Sequence, residues 1–203
     1  GARIESVTRR AKYLLTHICP VAAPEHLWLS HLGMTGRFEA HPAEARAPHQ
    51  LANYKHALAD TVAQKHVHVS LDLDDGTHIT YADPRRFGFM DLTPASAPSR
   101  FLADLGPEPM GNAFNADYFL AACAGRQSPV KAVLLDQKTI AGLGNIYVCE
   151  ALFRAGISPR RKAANLGRVR VARLIPAIRD VLGEAIAAGG SSLRDFADSD
   201  GKL

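Results

Sequence analysis

The chain has 203 residues, of which 47% are hydrophobic, and it carries 24 lysines and arginines against 20 aspartates and glutamates. This length and composition exclude a disordered tail and predict one or two soluble domains, each with its own core. The net charge of +4 fits a polyanionic partner but also fits many ordinary enzymes, so charge alone does not indicate a function.

Three cysteines, Cys19, Cys123 and Cys149, are far apart and form no Cys-x-x-Cys motif. They therefore predict neither a disulfide framework nor a cysteine zinc site, and they favour a reducing, cytoplasmic location. No apolar run approaches the roughly 18 residues of a membrane span. The first residues include Arg3 and Glu5 rather than a signal-peptide core, so neither membrane insertion nor export is expected.

Apolar and polar residues alternate through much of residues 1–90, which is the pattern of half-buried strands. The segments KYLLTHI, LWLSHLGM, HVHVSLDL and THITYA carry it, and Asp75-Gly76 supplies a hairpin turn between the last two. This part predicts an antiparallel β unit with one face in a core. The segment between Glu39 and Gln64 has no clear period and predicts a long loop or a short inserted helix.

Helix-length apolar spacing begins after the segment LGPEP, residues 105–109. We expect helices at about 115–124, 128–137, 146–156, 171–188 and 192–199, with Pro176 in a first turn or at a kink. The sequence therefore predicts an α+β fold with two domains: an antiparallel β-sandwich-like domain, 1–105, followed by an all-helical domain, 106–203.

The stretch GLGNIY, residues 142–147, leads from a glycine turn directly into an apolar helix. With Asn145 as the cap, the first acidic residue is Glu150, so no carboxylate in the first turn compensates the positive end of the helix dipole. Free backbone N–H groups at such an end suit a phosphate. For this motif alone, a plain turn and helix cap remains the more common explanation.

Two further loops carry side chains suited to probing stacked bases. In DPRRFG, residues 83–88, strand alternation would place Arg85 and Phe87 on one face and Arg86 on the other. An aromatic ring can wedge between bases while a guanidinium hydrogen-bonds an unpaired base, although a core phenylalanine beside two solvated arginines is the alternative. Met34 lies between the glycines of HLGMTG, where it is better placed to insert than to pack a core.

The segment RRAKYLL places Lys12 on a strand between basic and apolar neighbours. A partly desolvated lysine has a lowered pKa, which suits proton transfer or imine chemistry. Most lysines in such positions are solvated surface charges, and sequence spacing does not separate the two possibilities.

Taken in order, RRAKYLL, HLGMTG, DPRRFG, LGPEP, AGLGNIY, LFRAGISPRR and GGSSLRDFADSDGK resemble the formamidopyrimidine-DNA glycosylases. These are bacterial base-excision repair enzymes that remove oxidised purines and then cleave the abasic strand. The resemblance spans nearly the whole chain apart from residues 39–64. It implies a β-sandwich-like domain followed by a helix-two-turn-helix domain, with damaged double-stranded DNA as the partner of a monomer.

The resemblance also implies roles for individual residues. Lys12 matches the proton donor in β-elimination. Met34, Arg85 and Phe87 match the residues that fill the gap left by a flipped nucleotide, with Arg85 facing the orphaned cytosine. The positions that match residues holding the backbone phosphates around the lesion are His66, Arg86, Lys131, Asn145 and Lys202. Arg126 lies where the family often has a DNA-contacting lysine.

The chain also departs from the family's pattern. Family members begin with a proline whose amine attacks the sugar and a glutamate that assists, whereas Gly1 stands inside the first β domain. Leu203 precedes the family's four-cysteine zinc finger, so we expect no cofactor or metal in these residues and one structural zinc in the intact protein. We therefore predict an inactive interior fragment of an active enzyme. Val67 replaces a common aspartate, which leaves the orientation of His66 unsupported.

Two alternatives stay open at this point. Endonuclease VIII-like glycosylases share the helix-two-turn-helix region and prefer oxidised pyrimidines, but Met34, Arg85 and Phe87 favour the purine-directed branch. The second alternative is a noncatalytic module that binds damaged duplex, which we predict for the 203 residues by themselves. For the intact protein we predict a glycosylase with strand cleavage by β/δ-elimination.

Overall fold

The computed structural model describes residues 1–42, 49–50, 55–56, 64–97, 99–189 and 196–197. The long strands are β1 Ala2–Arg10, β2 Tyr13–Pro20, β3 His26–His31, β4 Arg37–His41, β7 Val67–Asp72, β8 His78–Ala82 and β9 Phe89–Pro94. The two-residue strands are β5 His49–Gln50, β6 Lys55–His56 and β10 Phe196–Ala197. The α-helices are α1 Ala116–Cys123, α2 Val130–Leu135, α3 Asn145–Arg154 and α4 Arg168–Ala187, and short 3-10 helices span Gln64–His66 and Ala163–Asn165.

The described strands form two four-stranded sheets and one short ladder. The first sheet has the order β1-β2-β3-β9 and the second has the order β5-β4-β8-β7, while β10 pairs with β6. The recorded ladders β1–β2, β4–β5, β4–β8, β7–β8 and β6–β10 are all antiparallel. Apart from the two-residue β10, the strands come first and the helices follow, and the α+β prediction is confirmed.

By compactness the chain divides into two units, each built from separated segments. One unit contains residues 1–27 and 93–184, and the other contains residues 28–92 and 185–203. Each unit is a group of residues that lie close together in space. The boundary at residue 105 between a β domain and a helical domain stays a prediction.

All four helices contribute to the core of the first unit, because each presents an apolar stripe inward. Phe119, Leu134, Leu152 and Leu174 come from α1 to α4 in turn, and each is almost completely buried. Asn115 starts α1 as an N-cap whose side chain accepts a hydrogen bond from the Tyr118 N–H at 3.0 Å. This core holds helix α3 in place, and the first residues of α3 are the end of the GLGNIY motif.

In the second unit, an aromatic cluster fills the space beside β4 and β8. The rings of Trp28 and Phe38 meet edge to face at 5.9 Å, and those of Phe38 and Tyr81 lie 5.1 Å apart. Tyr81 and the following Ala82 are buried, so the end of β8 is firmly held. The loop after β8 carries the DPRRFG motif.

Several predicted helix limits were wrong. Helix α2 is shorter than expected, and α4 begins at Arg168 and contains Pro176 in its interior rather than in its first turn. Phe196–Ala197 forms a strand where a helix was expected, while the rest of 192–199 lies outside the described residues. Much of 39–64 also lies outside them, but its described residues include the end of β4 and the short strands β5 and β6, where a long loop or a short helix was expected. Of the helices within the described ranges, none is long and apolar enough to cross a membrane.

Candidate nucleic-acid interface

Lys12 lies in the tight turn between β1 and β2, so its predicted position on a strand was wrong, and it contacts the GLGNIY loop. Its Nζ donates a hydrogen bond to the Leu143 carbonyl at 2.8 Å. Gly142 lies beside this turn, since a Cβ there would lie 3.4 Å from the Ala11 Cα, an ordinary contact distance, and its φ of +89° favours glycine. At Gly144 a Cβ would lie 3.7 Å from Nζ. Both distances are ordinary van der Waals contacts, so the backbone of the GLGNIY loop packs directly against the turn that carries the amine.

Desolvation by this surrounding protein lowers the pKa of Lys12 below its ordinary value. The side chain keeps access to solvent, and its hydrogen-bond acceptor is a neutral carbonyl rather than a carboxylate. A lysine without an anionic partner loses its proton more readily than a salt-bridged one. The structure thus supplies the lowered pKa that proton transfer needs, and the catalytic role of Lys12 stays a prediction.

Glu108, in the LGPEP motif, clamps the Lys12 turn from the other side. Its Oε1 accepts hydrogen bonds from the Ala11 N–H at 2.6 Å and from the Arg10 guanidinium at 2.7 Å, and its Oε2 lies 3.3 Å from Arg9. Burial opposes ionisation, but these hydrogen bonds and the two arginine charges lower the pKa of Glu108 overall. Ala11 has a φ of +53°, so the carboxylate holds a turn that a non-glycine residue adopts reluctantly. Sequence reasoning missed this residue.

Helix α3 begins one residue earlier than predicted, and its start is open. Gly144, not Asn145, is the N-cap, and it has no side chain with which to cap the helix. The first intrahelical bond runs from the Val148 N–H to the Gly144 carbonyl at 3.0 Å. The three preceding N–H groups, at 145–147, have no partner within the helix, and the first turn contains no acidic residue. Such an end attracts an anion.

The Asn145 side chain is released from capping and is exposed beside these N–H groups. Among the described residues it has one weak recorded contact, in which the Cys149 thiol approaches Oδ1 at 3.8 Å. The amide can therefore donate hydrogen bonds to an incoming ligand. Placing Asn145 as the cap was wrong, and the correction strengthens the case for an open anion site.

Two other predicted contact residues belong to the same unit. Lys131 is half-buried in the first turn of α2. Arg126 is exposed and pairs with Asp136, its Nη1 lying 3.5 Å from Oδ2. Their roles toward a phosphate stay predictions.

In the second unit, Arg85 and Phe87 form a joined pair at a loop tip. The Arg85 guanidinium carbon lies 4.5 Å from the centre of the Phe87 ring, which is cation–π geometry. Phe87 is 56% exposed. Residues 83–88 form a turn rather than a strand, so the expected alternation was wrong, although the two side chains do meet.

Met34 occupies a neighbouring tip and is 52% exposed. The two loops meet through backbone at Gly33, where a Cβ would lie only 2.6 Å from the Phe87 carbonyl carbon. Gly33 also has a φ of +63°, a conformation that favours glycine. The three side chains expected to insert into DNA are thus carried on two loops in direct contact.

Asp83 organises this pair of loops and was also missed from sequence. It is 1% exposed. Its Oδ1 accepts the Thr35 hydroxyl, and its Oδ2 accepts the Gly88 N–H at 2.8 Å and faces the Tyr81 hydroxyl at 3.4 Å. Burial acts to raise the pKa of Asp83, but the hydrogen bonds lower it overall. Burial, followed by the nearby carboxylate, raises the pKa of Tyr81 to about 12.

Arg86 leaves the turn with a φ of +56°, and its side chain is exposed. Together with His68 it lines a shallow open cavity. The predicted contact residue His66 is half-buried, and its carbonyl accepts the Asp83 N–H at 3.0 Å. Lys202, the last predicted contact residue, lies outside the described residues.

Comparison with known proteins decides the family. Residues 1–90 match the family model described as the formamidopyrimidine-DNA glycosylase N-terminal domain, and residues 105–197 match the corresponding H2TH domain. The chain belongs to the formamidopyrimidine-DNA glycosylase family. The resemblance inferred from the motifs is therefore confirmed.

Individual relatives agree with this assignment. A formamidopyrimidine-DNA glycosylase of Ruegeria pomeroyi is 51% identical over 205 residues, which cover 100% of this chain and 68% of the relative. The Lactococcus lactis Fpg in complex with an abasic site containing DNA superposes with a TM-score of 0.80 at 29% identity, covering 100% of this chain and 68% of that one. MutM in complex with carbocyclic 8-oxo-G containing DNA gives a TM-score of 0.78 at 32% identity, covering 96% and 66%.

The family's structural zinc has no ligand set in the described ranges. No group of three or more histidine, cysteine, aspartate or glutamate side chains there could hold a metal ion. Cys123 is buried and Cys149 is exposed, and neither belongs to such a cluster.

Proposed function

We propose that this chain forms the lesion-probing and strand-holding part of a base-excision repair glycosylase that removes oxidised purines from duplex DNA. The observation that carries the proposal is the contact between Lys12 and the GLGNIY loop, because it brings an amine of lowered pKa to the loop from which α3 opens. The family assignment supports the enzyme class, and the bound 8-oxo-G analogue of the related MutM supports the purine lesion.

The proposed DNA contacts fall into two chemical groups. The open start of α3 and Asn145 would donate hydrogen bonds to a phosphate of the damaged strand. Other backbone phosphates around the lesion would be contacted by the basic residues His66, Arg86, Arg126, Lys131 and Lys202. Met34, Arg85 and Phe87 would enter the gap left by the flipped nucleotide, where the aromatic ring stacks and the guanidinium faces the orphaned base.

We further infer that strand cleavage follows base removal, by β/δ-elimination. An amine attacks the sugar C1′ and displaces the oxidised base, and opening of the sugar ring gives an imine. Removal of a C2′ proton then expels the 3′ phosphate, and loss of the 5′ phosphate follows in the δ step, with Lys12 assisting proton transfer during elimination. The resemblance assigns the attacking amine to an N-terminal proline, and none of these 203 residues is assigned that role. We propose that the chain by itself binds damaged duplex without catalysing a reaction on it. The intact protein has both glycosylase and strand-cleaving activities.

Borohydride trapping on a duplex containing 8-oxoguanine tests this assignment. An intact protein with the Pro-Glu start should be trapped strongly, because borohydride reduces the imine to a stable link. The 203-residue chain should bind the same duplex but trap faintly or not at all. Efficient trapping by the 203 residues would contradict the assignment of the nucleophile, and equal binding of damaged and undamaged duplex by both proteins would contradict the function.

Replacement of Phe87 with Ala should reduce the preference for damaged over undamaged duplex about tenfold, since base–aromatic stacking contributes on the order of 1–3 kcal/mol. Affinity for undamaged duplex should change little, because its phosphate contacts remain. Equilibrium binding to the two duplexes measures the ratio. Phe153→Ala provides the matched control, because Phe153 is also exposed, at 82%, but lies on α3. A similar loss of preference in both variants would contradict the role of Phe87.

The proposal extends to three properties of the intact protein. We infer one structural zinc, held by the four-cysteine finger that the family resemblance implies. We also infer that the protein acts as a monomer on DNA and works in the cytoplasm. Size-exclusion chromatography with light scattering and zinc analysis of the intact protein would test the first two inferences.

A further inference from the structure

We propose that Asp83 is a positioning residue that joins the Met34 loop and the Arg85–Phe87 loop into one rigid wedge. This inference rests on the proposed function, in which those loops probe the base stack. It adds a residue that would never touch the DNA, because its side chain is buried beneath the two tips.

The first step is the position of the carboxylate between two segments far apart in the chain. Oδ1 accepts the hydroxyl of Thr35, which directly follows Met34. Oδ2 accepts the N–H of Gly88, which directly follows Phe87. One carboxylate therefore holds both loops at the residue adjacent to the side chain that each presents.

A second connection runs through the same hydroxyl. Thr35 Oγ1 donates to Asp83 and accepts the Arg85 N–H at 3.2 Å. A hydroxyl has a single proton to donate, so only an acceptor at Asp83 can orient the Thr35 hydroxyl in this way. In that orientation the hydroxyl bridges Asp83 and the Arg85 N–H. Loss of the carboxylate charge would weaken both links together.

The third step concerns the charges of the neighbouring arginines. In the described part of the chain, the donors recorded at the Asp83 carboxylate are hydroxyl and backbone N–H groups, and no ion pair to Arg85 or Arg86 is recorded. An exposed aspartate beside two arginines would compete with phosphate for their guanidinium groups. Burial keeps the negative charge away and leaves both arginines available to DNA.

The space around Gly88 shows how closely this arrangement is packed. A Cβ at Gly88 would collide with the Tyr81 hydroxyl and would lie 2.7 Å from the His31 carbonyl oxygen and 3.1 Å from Asp83 Oδ2. Only glycine lets the backbone N–H reach the carboxylate at this point. The wedge is therefore specified by the buried acid and the glycine together.

The experiment measures amide hydrogen exchange without DNA in three proteins: the wild-type chain, Asp83→Asn and Thr35→Val. Asp83→Asn should raise exchange about tenfold in both 31–36 and 84–88, since local opening becomes easier where a charged hydrogen bond is lost. Thr35→Val keeps the carboxylate and a similar volume but removes the bridging hydroxyl, so it should raise exchange in both loops by a smaller factor. It also provides a folded comparison if the first variant unfolds.

Asp75→Asn is the matched control. Asp75 accepts the Thr77 N–H at 2.8 Å in the exposed β7–β8 turn of the same unit. Its replacement should leave exchange in 31–36 and 84–88 unchanged. Faster exchange confined to 84–88, or no change in either loop for both Asp83→Asn and Thr35→Val, would overturn the inference.

Duplex binding separates this inference from the proposed function. With wild-type chain preferring damaged duplex, Asp83→Asn should lower that preference about tenfold while leaving affinity for undamaged duplex within about twofold. An unchanged preference in a folded variant would overturn the inference alone. A wild-type chain without any preference would instead overturn the proposed function, and the exchange measurement would still decide whether Asp83 couples the loops.

Discussion

Replacement of Asn145 with Asp should weaken duplex binding about 30- to 100-fold without reducing the stability of the fold. The substitution removes an amide donor and adds a negative charge where a phosphate is expected, and hydrogen bonds to charged groups contribute on the order of 1.5–3 kcal/mol. The same charge lies at the positive end of α3, where it should stabilise the helix by about 0.5 kcal/mol. Binding and stability are therefore expected to change in opposite directions.

Fluorescence anisotropy across a salt series and urea unfolding measure the two effects. The slope of log affinity against log salt should fall by about one for each lost phosphate contact. Asn115→Asp is the control, because Asn115 also stands exposed at a helix start but serves α1 as a cap. It should leave binding unchanged. Parallel loss of stability and affinity in Asn145→Asp would indicate a structural role and would contradict the anion site.

Local patterns were sufficient to predict the class of each segment. Strand alternation predicted the antiparallel β part, and apolar spacing predicted the four described helices, because both patterns follow from the backbone's own periodicity. The limits were less accurate. The start of helix α3 differs by one residue from the prediction. A glycine can cap a helix by adopting extended backbone, whereas sequence preference favours the asparagine beside it.

The candidate site was predicted only as separate motifs. Lys12 and Leu143 are 131 residues apart, and nothing in their spacing indicates that an amine on one meets a carbonyl on the other. Arg85 and Phe87 were expected on one face through strand alternation, but a turn brings them together. The left-handed backbone of Arg86 makes that turn, and such a conformation is not apparent in an arginine.

Sequence reasoning missed Asp83 and Glu108 for the same physical reason. Each lies inside a motif that was recognised, yet its hydrogen-bond donors include hydroxyl or backbone N–H groups from distant segments. A sequence shows which acids lie near arginines but not which acids are buried. Glu108 pairs with arginines 98 and 99 positions away, and Asp83 has no recorded ion pair with the arginines that nearly adjoin it.

Replacement of Glu108 with Gln should lower the free energy of unfolding at pH 7 by about 2 kcal/mol, the range expected for a lost charge-assisted hydrogen bond in a partly buried site. A glutamine can still accept the Ala11 N–H, but it no longer attracts Arg9 and Arg10. The turn that carries Lys12 would then lose its main support. Urea unfolding at neutral pH measures the loss.

The pH dependence of this deficit distinguishes the carboxylate charge from simple packing. The pKa of Glu108 is lowered in the folded protein relative to its ordinary value of 4.5, so its stabilising effect is fully present above that value. It is lost as the pH falls through the lower, folded pKa. The difference between wild type and Glu108→Gln should therefore be largest near neutral pH and should shrink as the pH falls below the ordinary value of 4.5 and through the lower, folded pKa.

Glu184→Gln is the control, since Glu184 pairs with Arg154 at 2.6 Å but is 61% exposed, and solvent screens such pairs. It should change stability little at any pH. A Glu108→Gln deficit that stays constant from neutral pH to pH 3 would show that shape, not charge, holds the turn. A deficit that disappears in acid would show that an ionised Glu108 holds the turn that carries Lys12. The proposed proton transfer would then depend on a carboxylate that is distant in the sequence.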